Sequence, residues 1–221
     1  MIKAIIFDLD GTLYPRTSSL YHTMSVSIRN WFQKQLGMNN ATFGEYFEQV
    51  KRLYPSPLEA VRAFGLDLHS FHEGVFSRLD PAASLEPDKK LQEMLEGLSA
   101  KKFIVTFASR RHARKVLQAL GVEAVFSGVL VPGERWTTTS KLEAYEIIRK
   151  EGSWLPEEVC VVGDDIRTDL LDACVAGYRC VLVSDSTQTS NIESIESIYE
   201  VSTIIQKQLG TANKKGGTSY G

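Results

Sequence analysis

Residues 2–13 read IKAIIFDLDGTL, an apolar run interrupted only by Lys3 that stops at Asp8 and Asp10 before Gly11 and Thr12. Near-continuous apolar character over so short a run predicts a strand buried on both faces, the habit of parallel sheets covered by helices. Such sheets carry their sites beyond the carboxyl ends of their strands. Two carboxylates placed there repel each other unless a cation or a shared proton relieves them. An Asp-Gly pair also makes an ordinary surface turn, but a turn at the surface sits poorly behind a buried strand.

The same form repeats downstream. FIVTF at 103–107 follows a helical stretch in which Leu91, Met94, Leu95 and Leu98 recur at i, i+3, i+4 and i+7. VCVV at 159–162 runs into Gly163-Asp164-Asp165, and CVLV at 180–183 follows a helical stretch over Thr168 to Ala176. Strands alternating with helices predict an α/β fold with a doubly wound parallel sheet. Asp8, Thr106 and Asp164 then stand at or near three strand ends. The segment 15–85 breaks the rhythm, with Met24, Ile28, Trp31 and Phe32, then Phe43, Tyr46, Phe47 and Val50, at helical spacing. Pro55 and Pro57 punctuate it, and Asp67 and Ser70 offer cap positions for a last helix. So much sequence is too long for a loop. The expected organisation is a core of residues 1–14 and 86–210, an all-helical cap at 15–85, and a mobile tail at 211–221, which has few apolar residues.

Composition bounds the function. The 221 residues correspond to one or two domains at about 150 residues each. With 43% hydrophobic and 24% charged residues, collagen-like, coiled-coil and disordered chains are excluded. A net charge of -2 with both signs interspersed argues against a nucleic-acid polymer as partner. Cys160, Cys174 and Cys180 are an odd set without a CxxC, so neither a disulfide framework nor a zinc knot is indicated, and buried packing is the expected role. No apolar run approaches the roughly 18 residues of a membrane span. The first residues turn acidic at Asp8, unlike a secretory signal, so a soluble cytoplasmic protein is expected.

Asp164, Asp165 and Asp169 form a second acidic cluster after a buried strand, and parallel topology can bring it to the same edge as Asp8 and Asp10. Oxygen ligands with few nitrogens or sulfurs suit Mg²⁺, a hard cation that keeps several waters and partners phosphate.

On these residues the chain resembles the haloacid dehalogenase superfamily of phosphatases. The family's first motif, DxDGT[LV], stands here as Asp8-Leu9-Asp10-Gly11-Thr12-Leu13. Thr106 matches the Thr or Ser that ends a strand, Lys141 the motif Lys, and Gly163, Asp164 and Asp169 the closing GDxxxxD. The resemblance implies Asp8 as the nucleophile that forms an aspartyl-phosphate, and Asp10 as the general acid and then base. It implies Mg²⁺ held by the Asp8 carboxylate, the Asp10 backbone carbonyl and Asp164. Thr106 and Lys141 would bind the phosphoryl oxygens, Asp169 a metal-bound water or Lys141, and Asp165 would stand one layer further out. Asp10 sets the chain apart from the dehalogenase branch, which lacks that residue.

The insert lies where the family's C1 helical caps lie, which implies a small-molecule phosphoester substrate. DLDGTLYP and the stretch 106–130 look like the pyrimidine 5'-nucleotidase-like group, although Phe107 stands where that group usually has Asn and Leu142 where it usually has Pro. Tyr14, Tyr21 and His22, at the entrance to the cap, are candidate specificity residues, whereas Trp31 and Phe47 are expected to pack the cap's own core. His112 follows two arginines in a helix's first turn and is expected to be solvated with them. His22, His69 and His72 lack ligand spacing, and the loop Trp136 to Thr139 has no assigned role. A phosphosugar mutase or phosphotransferase that shares the aspartyl-phosphate, or a non-catalytic descendant that binds phosphate, remains an alternative. A response-regulator receiver does not fit, since it lacks both the DGT sequence and a cap.

Overall fold

A computed structural model describes residues 1–134, 140–184 and 192–212. Its centre is a parallel sheet whose described strands are β1 (Ala4–Phe7), β2 (Lys101–Val105), β3 (Gly128–Leu130), β4 (Val159–Gly163), β5 (Arg179–Val183) and β6 (Glu193–Ile195), in the order β3-β2-β1-β4-β5-β6. β1 is central, with Phe7 in register with Ile104 on one side and with Val162 on the other. Chain order reverses at β1, so the crevice beyond its carboxyl end is where an open α/β sheet accommodates a site.

The strand residues split by the period of two. Ile5 and Phe7 pack with Ile104, Cys160 and Val162 on one face, and Ala4 and Ile6 with Val105, Val159 and Val161 on the other. Helices α5 (Lys89–Glu96) and α6 (Arg110–Ala119) contribute Leu91, Leu95, Val116 and Leu117 to the first face. α7 (Lys141–Glu151) and α8 (Leu171–Val175) contribute Tyr145, Ile148 and Ala173 to the second, and α9 (Val201–Ala212) brings Val201 and Ile205 to the first. Burying an aliphatic or aromatic side chain of this size stabilises by about 1.5–3 kcal/mol, so double coverage is what makes β1 read as a continuous apolar run.

Between β1 and α5 the chain folds into α1 (Ser19–Leu36), α2 (Asn40–Leu53), α3 (Pro57–Ala63) and α4 (Leu68–Phe76). Each begins on a side-chain cap: Ser18, Asn39, Ser56 and Asp67 accept from backbone N–H groups in the first turn. Ser70 is thus the residue that Asp67 caps. Trp31 and Phe71 meet edge to face at 5.0 Å, Phe43 stacks on Phe47 at 5.3 Å, and Phe32 lies between them. These helices therefore have an aromatic core of their own that continues into the larger cluster.

The structure departs from the sequence reading in several places. β3 and β6 were not singled out: each has three residues at a sheet edge, and β6 reads Glu-Ser-Ile. In place of one helix over 168–176, a π-helical turn at Ile166–Leu170 precedes α8. Cys160 is buried, but Cys174 and Cys180 are only half-buried. Thr211 and Ala212 belong to α9, and the rest of the expected tail, like the loop Trp136 to Thr139, lies outside the described residues. Among the described residues no helix is long and apolar enough to cross a membrane.

Candidate active site

Asp8 is the first residue past β1, its amide bonded to Val162 O at 2.9 Å, so the register of β1 against β4 sets its height. Thr106 follows β2 and Asp164 follows β4, so the ends of three adjacent strands deliver them to one crevice. Gly11, at φ +103, makes the turn after Asp10, and a side chain there would run into the Asp164 carboxylate. Lys141 arrives from the other direction as the first residue of α7, where Ser140 accepts from Leu142 N at 3.2 Å.

These side chains form one network. Lys141 Nζ donates to Asp8 Oδ1 at 2.5 Å and to Asp169 Oδ1 at 2.7 Å, and lies 4.8 Å from the centre of the Phe107 ring. The Thr12 hydroxyl is 3.2 Å from both Asp8 Oδ2 and Asp164 Oδ1. Asp169 is held by Thr168 Oγ1 at 3.0 Å and by the Asp165 amide at 3.1 Å. The Asp165 side chain caps the π-helical turn through the amides of Arg167 and Thr168. Thr106 Oγ1 accepts from Ala108 N at 3.0 Å and lies 3.4 Å from Asp10 Oδ2. A cavity of about 210 Å³ opens over Asp8, Asp10, Thr106 and Lys141, roofed by Phe71 and Phe76 of α4.

Burial pushes the Asp8 carboxyl up to about 6 against the pull of Lys141, with Asp164 adding to the rise. Burial also raises Asp164, with Asp169 adding to it and Arg16 opposing, and it raises Asp169 against Lys141. For Lys141, burial is outweighed by Asp169 and Asp8, so it stays charged. Burial raises Asp10 too, but His112 and Tyr14 outweigh it and leave that carboxyl below its usual range.

Carboxylate oxygens of Asp8, Asp164 and Asp169 all lie within 4.8 Å of one another. A largely buried oxygen-only set with surplus negative charge fits a hard divalent cation. Arg16, whose guanidinium sits against Asp164 and also reaches Asp165, already answers part of that charge.

Some residues lie elsewhere than expected. Tyr14 is buried and its hydroxyl donates to Asp10 Oδ1 at 2.5 Å, so it faces the acid pair from within and does not line the cavity over Asp8. Tyr21 lines that cavity and a larger one of about 570 Å³ beside it, which His22 also lines. His112 is not solvated with the arginines before it: it is 1% exposed, with Nε2 3.1 Å from Asp10 Oδ1. The sequence hint was its place three residues after Ser109, the cap that fixes this turn. Arg16 and Phe107 also reach the site, the first from just past the Asp loop and the second from beside Thr106. His72, expected to be structural, points Nε2 at Phe107 O at 3.2 Å.

A family model described as haloacid dehalogenase-like hydrolase matches residues 2–177. Phosphate metabolism protein 8 of Saccharomyces cerevisiae is 25% identical over 136 residues, which cover 58% of this chain and 42% of that protein. The match thus spans less than half the length of that relative. Among solved structures, the HAD-hydrolase YfnB of Bacillus subtilis bound to magnesium is similar with a TM-score of 0.61 at 13% identity, over 93% of this chain and 99% of that one. A haloacid dehalogenase-like family hydrolase from Streptococcus pneumoniae gives 0.62 at 19% over 93% and 99%. A predicted phosphoglycolate phosphatase from Haemophilus somnus 129pt gives 0.60 at 19% over 93% and 98%. At such identities the likeness is one of fold.

Proposed function

The chain belongs to the haloacid dehalogenase-like hydrolase family, and we propose that it is a Mg²⁺-dependent phosphomonoesterase acting on a small phosphoester through an aspartyl-phosphate on Asp8. The observation that carries this reading is the second carboxylate: Asp10 lines the cavity beside Asp8. A phosphoester needs a proton for its departing oxygen, and Asp10 is placed to give it.

In the proposed reaction Asp8 attacks phosphorus while Asp10 protonates the leaving oxygen, and Asp10 then takes a proton from the water that cleaves the aspartyl-phosphate. Lys141 and Thr106 hold the phosphoryl oxygens, whose charge shifts as the bond breaks. The carboxylates of Asp8 and Asp164 and the Asp10 backbone carbonyl would hold Mg²⁺, and Asp169 would fix Lys141 or a bound water. The cation, when bound, offsets the repulsion between the nucleophile and the phosphoryl oxygens.

Residues 15–85 act as a cap on a core of residues 1–14 and 86–210, excluding water and contacting the leaving group. Pyrimidine 5'-nucleotides head the candidate substrates, with phosphoglycolate and sugar phosphates as competitors. The test is turnover of a phosphoester panel with Mg²⁺ and with chelator. Asp8→Asn should abolish it, because an amide is neither the nucleophile nor an anionic ligand. Near wild-type turnover by that variant would overturn the mechanism.

A further inference from the structure

Asp10 is held unequally at its two oxygens. Its Oδ1 receives the Tyr14 hydroxyl at 2.5 Å and faces His112 Nε2 at 3.1 Å, while among the described residues its Oδ2 has only the Thr106 hydroxyl, at 3.4 Å. Among the described residues the buried His112 Nδ1 has no hydrogen-bond partner. A carboxylate oxygen only accepts, so His112 Nε2 is the donor of this contact to Asp10 Oδ1. Two donors fill the acceptor sites of Oδ1. The ring that makes the second contact is fixed in turn: Ser109 caps the turn that carries it, and Phe76 of α4 packs on it at 5.1 Å between ring centres.

We propose that His112, together with Tyr14, is a positioning residue that holds Asp10 by Oδ1 and so presents Oδ2 as the oxygen that transfers protons. The proposal rests on the phosphatase reading above and says which atom of Asp10 acts and what aims it. The proton on Oδ2 passes to the ester oxygen as the P–O bond breaks and the bond from Asp8 to phosphorus forms. In the second half Oδ2 takes a proton from the attacking water as that bond is cleaved. His112 and Tyr14 keep their protons throughout. Phe76, by seating the His112 ring, ties this aim to the helical segment above the site.

The experiment compares phenyl phosphate with p-nitrophenyl phosphate, which differ in how much the departing oxygen needs a proton. His112→Phe keeps a ring against Phe76 and removes the donor. Its kcat/KM on phenyl phosphate should fall roughly 10-fold to 100-fold, part of the roughly 10²–10⁴ that acid–base transfer contributes, and clearly less on p-nitrophenyl phosphate. His112→Gln, whose amide N–H can reach the place of Nε2, should recover most of the loss. Tyr14→Phe deletes one oxygen and should give the same dependence on the leaving group, so it carries the test if His112→Phe does not fold. The double variant should lose less than the product of the single losses, because both donors serve one carboxylate.

An equal loss on both substrates, an undiminished rate in either donor-deleted variant, or no recovery in His112→Gln would overturn the proposal. If wild-type protein with Mg²⁺ turns over neither substrate, the phosphatase reading falls and takes the proposal with it. If wild type is active and Asp10→Asn alone shows the leaving-group dependence, only the positioning role falls.

Discussion

Asp8 and Asp10 leave the same strand end yet occupy opposite electrostatic surroundings. Asp8 is pushed up to about 6 by burial, with Asp164 adding to it, while Asp10 is drawn below its usual range by His112 and Tyr14. These directions are the reverse of what a nucleophile and an acid need, so the proposed roles require cationic charge beside Asp8 and a phosphate beside Asp10 to invert them. Asp10→Asn keeps the shape and the backbone carbonyl, so Mg²⁺ binding measured by calorimetry should survive while kcat drops roughly 10²–10⁴-fold. The drop should shrink on p-nitrophenyl phosphate, and an equal drop on every ester would count against Asp10 as the acid. At this scale the sequence was informative where chemistry needs a local motif. Asp8, Asp10 and Thr12 are neighbours in the chain, and Gly163, Asp164 and Asp169 announce themselves by spacing. His112 was misread because its partner is set by tertiary packing: a His after two arginines looks solvated until α6 turns it inward, and the Tyr14 contact with Asp10 is likewise set by packing that spacing does not show.

The element that follows β4 shows how a backbone irregularity serves the site. Asp165 caps a π-helical turn, and the wide turn brings Asp169 back against the strand end, where Gly163 leaves space for it. A Cβ on Gly163 would stand 2.5 Å from both Cβ and Oδ2 of Asp169. Gly163→Ala should therefore displace Asp169 from Lys141 and destabilise by about 1–3 kcal/mol, the scale of overpacking, read as a lower denaturant midpoint together with lower turnover. An unchanged midpoint would mean that the turn adjusts freely. The sequence reads as one helical stretch over Thr168 to Ala176, and the π turn is set by the Asp165 cap and the Asp165 amide on Asp169, which spacing does not reveal.

α7 carries a second, peripheral network with a pH signature. Glu146 accepts from Arg149 at 3.0 and 2.7 Å and from the Tyr178 hydroxyl at 2.6 Å, which holds its carboxyl down at about 2. A carboxyl lowered on folding adds stability that is fully present above its unfolded value, near 4.5, and is lost as pH falls toward 2. The pair is partly exposed, so its contribution is at most about 1 kcal/mol. Glu146→Gln should flatten that acid slope in denaturant midpoints and leave the midpoint above about pH 5 lower by the same small amount. A slope identical to wild type would assign acid sensitivity to other carboxyls.

Taken as a whole, the molecule gathers its acidic residues and Lys141 at the sheet edge and lines the outer cavity largely with residues of the helical segment. The doubly covered strands β1, β2, β4 and β5 were legible because burial on both faces writes an apolar run, whereas the edge strands β3 and β6 carry no such mark. The helical segment was legible as helices from spacing and caps, but which of its side chains face the site depends on packing that spacing does not encode. In the proposed reaction Asp8, Thr106 and Lys141 touch only what all phosphoesters have in common, so discrimination must come from residues that reach the rest of the substrate. Tyr21 lines both the cavity over Asp8 and the larger one beside it, and His22 lines the second. Tyr14→Phe, which removes a donor to Asp10, should lower activity most where the departing oxygen most needs a proton and leave the ranking among the natural phosphoesters unchanged. Tyr21→Ala and His22→Ala should instead reorder kcat/KM among UMP, CMP, AMP, phosphoglycolate and sugar phosphates while sparing p-nitrophenyl phosphate, whose small leaving group has little need of the outer cavity. A ranking preserved in both variants would move specificity to other cap residues, and wild-type indifference to pyrimidine nucleotides would remove them as the preferred substrate while leaving the phosphatase chemistry in place.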